Sequence, residues 1–177
     1  MLQRKIPLFP DILRVTSVIA TFLYGWTILS WMWQVPSWLL SLTIGEVLSI
    51  FAYAMFNAML ESLFFLVCLL LLAFILPPRF LRDDFIVRAS WVTVGTPGSM
   101  LIFFVGFNTI DSFPAQYITF WSLATLLLAA LLAFLSARQP WMRAAALWLS
   151  DRLLIFLFLF APITVISLLT ILIRNIL

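Results

Sequence analysis

Chemistry in this chain would have to come from a few polar residues set into long apolar runs. Glu46, Tyr53, Asn57 and Glu61 are the most suggestive group. At helical spacing they fall within roughly a quarter turn of one another. Glu61 is followed by fifteen residues, Ser62 to Leu76, that carry no charge. An ionisable side chain inside a membrane span is a functional-site candidate by default, because its burial in hydrocarbon costs several kcal/mol unless compensated. Tyr53, Asn57 and Glu61 therefore define an expected intramembrane polar site able to take a proton or a cation. Its bland counterpart is a hydrogen bond to a neighbouring helix. Arg174 is the one cation on the same side that could serve as its charge partner.

A second candidate is Gly95-Thr96-Pro97-Gly98. Proline removes a backbone donor and glycine loosens the turn, so Gly95, Pro97 and Gly98 predict a kink or a short unwound segment. Because they fall toward the opposite end of their span from Glu61, no shared site is expected.

Other chemistries are excluded by composition. The chain has no histidine and one cysteine, Cys68. Histidine-ligated haem or zinc, histidine acid–base catalysis, an intrachain disulfide and a two-cysteine redox motif are thus all ruled out. No metal site and no resident cofactor is expected within the chain, although its aromatic faces suit contact with lipid or pigment. There is no paired aspartate, no nucleophile–base arrangement and no phosphate-binding glycine loop.

These residues must be positioned by membrane-spanning helices. The chain is 65% hydrophobic and 10% charged, with a mean hydropathy of +1.18, whereas soluble domains carry roughly 25% charged residues. The expectation is an all-α integral membrane protein, a single transmembrane domain over 1–177. Its spans are expected near 12–33, 47–76, 89–110, 117–137 and 153–173. Gln34-Val35-Pro36-Ser37 reads as a turn, and interfacial helices are expected at 38–45 and 141–151. The net charge of +3 is spread beside the apolar runs, which argues against nucleic acid as a partner.

Five spans place Arg4, Lys5, Arg14, Arg79, Arg82, Arg88, Arg138, Arg143 and Arg152 on one side and Arg174 alone on the other. The positive-inside rule then puts the N-terminus in the cytoplasm and the C-terminus outside. A bacterial inner (plasma) membrane is the expected location. Trp33-Gln34-Val35-Pro36-Ser37-Trp38 matches part of the aromatic–proline pattern of five-span tryptophan-rich sensory proteins. The tryptophan- and tyrosine-bearing continuation in span two is missing, so no family is assigned.

A nearly all-apolar chain with short loops, 18 phenylalanines and no cofactor ligands is expected to be a non-catalytic subunit of a membrane complex. Its expected partners are membrane lipids and other membrane proteins. The alternatives are a small proton or cation transporter using Glu61, and a membrane enzyme acting on a lipid-linked substrate.

Overall fold

The structure is a computed structural model that describes residues 7–78, 80–107 and 115–176. Among these residues it is all-helical: α1 (Phe9–Trp38), α2 (Ile44–Ile75), α3 (Phe85–Phe107), α4 (Ala115–Ser136) and α5 (Pro140–Ile176). Four of them, α1, α2, α4 and α5, are long and apolar enough to cross a membrane. Large apolar side chains such as Phe120, Leu127, Ile155 and Phe158 are exposed.

Three boundaries differ from the sequence expectation. First, the turn expected at Gln34–Ser37 is helical, because α1 runs on through Pro36 to Trp38. Second, the interfacial helix expected at 38–45 is replaced by a tight turn over 39–43, and Gly45 lies inside α2. A capping box decides this start. The Thr43 backbone N–H donates to Glu46 Oε2 at 2.8 Å, and the Glu46 N–H donates to Thr43 Oγ1 at 3.4 Å. Two orphan donors of the first turn are thereby satisfied. Third, the helix expected at 141–151 and the span expected at 153–173 form one continuous α5 of 37 residues, with Pro162 inside it. At 1.5 Å per residue α5 is about 55 Å long, well beyond a hydrocarbon core of roughly 30 Å.

The chain reverses direction across the short connections between α1 and α2, α2 and α3, and α4 and α5. The beginning of α1, the α2–α3 connection and the α4–α5 connection therefore meet at one end of the bundle. Two ion pairs lie there, Arg14–Asp151 at 3.0 Å and Asp84–Arg143 at 2.8 Å. The Trp91 indole donates to the Met142 carbonyl at 3.0 Å and joins α3 to α5 nearby.

Helix α1 is central and packs on α2, α5 and α3, whereas α4 lies along α3 and barely touches α5. Two apolar clusters fill the interior. Val15, Ile19, Leu69, Ala73, Phe85 and Ala89 join α1, α2 and α3, and Ala20, Tyr24, Met55, Ala58 and Phe160 join α1, α2 and α5. Small residues recur where helices approach closely: Ser17, Ala20, Ala58, Ala89 and Ser150 are all buried. This is the usual composition of helix contacts in lipid, where dispersion rather than water exclusion holds helices together.

Several hydroxyls inside the helices are satisfied locally. Thr16, Thr21, Thr27, Ser62 and Thr93 each donate to the carbonyl four residues back.

Candidate functional site

The site is a cleft between α1, α2 and α3 with a volume of about 460 Å³. Helix α1 supplies one wall through Trp26, Thr27, Ser30, Trp31, Gln34 and Trp38. Thr27, Ser30, Gln34 and Trp38 follow the helical repeat, which places them in one stripe. They share a single wall because α1 remains helical through Pro36. Helix α2 contributes Ile50, Ala54 and Glu61, and α3 contributes Pro97, Met100 and Leu101.

The expected trio of Tyr53, Asn57 and Glu61 divides. Asn57 Nδ2 donates to Glu61 Oε1 at 2.6 Å, so one carboxylate oxygen is engaged by the amide one turn away. Tyr53 does not line the cleft. Its hydroxyl is 3.4 Å from Asn175 Oδ1, which it faces across the α2–α5 contact. Tyr53, Asn57 and Glu61 are all exposed in the isolated chain.

Arg174 is in the last turn of α5 and lies within electrostatic reach of Glu46. Glu46 and Glu61 are fifteen residues apart along α2, or about 22 Å. The cation therefore acts at the beginning of that helix, and the hydrogen-bond partner of Glu61 is Asn57.

The second candidate also divides. Gly95, Pro97 and Gly98 stand in unbroken helix, so α3 does not unwind there. Gly95 lets α3 approach α4, because a Cβ at this position would collide with the Leu132 side chain. Pro97 faces the other way and lines the cleft with Glu61, contrary to the expectation that the two regions are separate. Gly98 has open space where a Cβ would project.

The chain matches no family model, no curated protein and no solved structure. What the cleft can do must therefore be read from its own groups. They comprise one carboxylate with an amide on one oxygen, two hydroxyls, one side-chain amide, three indoles and an apolar remainder. Among the described residues no three acidic or cysteine side chains come together as a metal site. Nor does any lysine or arginine among the described residues line the cleft.

The α1 wall does not stand out in the sequence, because Pro36 makes Gln34–Ser37 read as a turn and so interrupts the stripe. The signal was present in the spacing of Thr27, Ser30, Gln34 and Trp38.

Proposed function

We propose that this protein is a non-catalytic, multi-pass subunit of a larger assembly in the bacterial inner membrane. In this reading all five helices cross the bilayer, and the end of the bundle holding the two ion pairs faces the cytoplasm.

The observation that carries the proposal is the outer face of α4. Phe120, Leu123, Leu127, Leu131 and Phe134 are spaced three, four, four and three residues apart, and each is at least half exposed. That spacing draws one straight seam along a helix, of the kind two helices use when they interlock. Helix α4 itself is held mainly by α3. A helix with one good neighbour and an open knob-like seam is suited to a second neighbour from another chain.

The test is gentle solubilisation from the native membrane, followed by sizing of the wild type and of Leu127→Trp. The wild type is expected to run in a complex well above its 20.3 kDa mass. The bulky indole in the seam should shift most of the protein to the monomer without lowering its thermal stability. A wild-type monomer with no copurifying subunit, or an assembly indifferent to Leu127→Trp, would overturn the reading.

A further inference from the structure

Beyond that reading, and independent of it, we propose that the α1–α2–α3 cleft binds an organic cation: a substituted ammonium or phosphonium carried on an apolar body. Four observations select this class.

The first is size. About 460 Å³ lies within the range of pockets that take small organic molecules, roughly 300–1,000 Å³. The second is charge. Among the described residues, Glu61 is the only formally charged side chain lining the cleft. Asn57 engages Oε1 and leaves Oε2 as an acceptor, so an anionic ligand would meet a carboxylate with no base to offset it.

The third is the lining. Phe22 and Trp26 of α1 line the cleft at the level of Glu61, Trp31 and Trp38 continue that wall toward the turn between α1 and α2, and Met100 lines it from α3. Indole faces attract cations whose charge is diffuse and weakly hydrated, and the attraction grows as water is excluded. The fourth is the shortage of oxygen ligands. Hard inorganic cations need about six oxygens to replace their hydration shell, and one carboxylate with a few hydroxyl and amide oxygens falls short. An organic cation has far less hydration to lose, and its apolar body is matched by the remaining wall.

Two sources carry this chemistry in a membrane, the ammonium headgroup of a lipid and a free lipophilic cation. The experiment separates them. Purified protein in dodecyl maltoside, which has no charge, is titrated with radiolabelled tetraphenylphosphonium. The wild type should bind saturably, about one per chain. Glu61→Gln, which keeps shape and removes charge, should weaken binding at least tenfold. Ala54→Phe, which fills the cleft and keeps the carboxylate, should also abolish binding, so the proposal stays testable if either variant folds poorly. Asp84→Asn, remote from the cleft, should bind as the wild type does.

Phosphatidylethanolamine is then added as competitor, with phosphatidylglycerol as control. Displacement by the ethanolamine lipid alone identifies a lipid headgroup as occupant, whereas displacement by neither lipid identifies a free cation. Absence of saturable binding by the wild type, or wild-type affinity in both Glu61→Gln and Ala54→Phe, would overturn the proposal.

Discussion

Tyr24 shows how much a single hydroxyl settles in this bundle. The residue is 3% exposed and its ring stacks on Phe160 at 4.6 Å. Its hydroxyl meets Thr164 Oγ1, which in turn donates to the Phe160 carbonyl at 2.9 Å. Since a threonine hydroxyl has one proton and spends it on the carbonyl, Tyr24 is the donor of the pair. Tyr24→Phe keeps the stack and loses only this bond. We expect it to cost about 0.5–1.5 kcal/mol, the range for one interhelical hydrogen bond. Tyr24→Ala also opens a cavity and should cost about 3–5 kcal/mol. Unfolding of both variants in mild detergent measures the difference, and equal losses would mean that the hydroxyl, not the ring, holds α1 to α5. Nothing in the sequence around Tyr24 announces this role, because its partner is 140 residues away.

Among the elements, α3 is the most informative. Its glycines and proline read as one interruption, yet they differ in surroundings: Gly95 meets Leu132 of α4, Pro97 lines the cleft with Glu61, and Gly98 leaves open space. A helix in a membrane tolerates proline because surrounding groups can accommodate the freed backbone. The local sequence therefore signals a weakness that the packed helix need not express.

The two glycines give opposite expectations for substitution. At Gly98 a methyl group enters open space, and Gly→Ala in a helix gains up to about 1 kcal/mol from backbone propensity. At Gly95 a larger side chain must displace Leu132, and overpacking of this kind costs typically about 1–3 kcal/mol. Gly98→Ala should thus raise the thermal midpoint in detergent and Gly95→Ile should lower it. The same sign for both would contradict close packing of α3 on α4. The capping box at Thr43 and Glu46 is the opposite case, since both residues and their spacing are visible in the chain. Glu46 needs no distant partner to explain it.

For the whole molecule, orientation and span number are tested together by labelling. Three helices, α3, α4 and α5, separate Arg82 from Asn175. If all three cross, cysteines at these positions lie on opposite sides of the membrane. In a Cys68→Ser background, Asn175→Cys should react with an impermeant maleimide in intact cells. Arg82→Cys should react only after the membrane is opened. The reverse pattern would invert the topology, and labelling of both from one side would remove a crossing.

The sequence alone determined the all-helical class, the approximate position of apolar segments long enough to cross a membrane, and the chemistries excluded by the absence of histidine and the single cysteine. These follow from composition and from runs long enough to span hydrocarbon, and such properties add along the chain without reference to neighbours. It also singled out Glu61 and Asn57, because a helical period of four residues is enough to bring them together. Only the tertiary structure decided that Tyr53 faces α5, that Pro97 shares a cleft with Glu61, and that a stripe on α1 completes its wall. Which face of a helix meets which neighbour depends on packing between residues far apart in sequence. In a chain apolar on nearly every face, hydrophobic periodicity leaves that choice open.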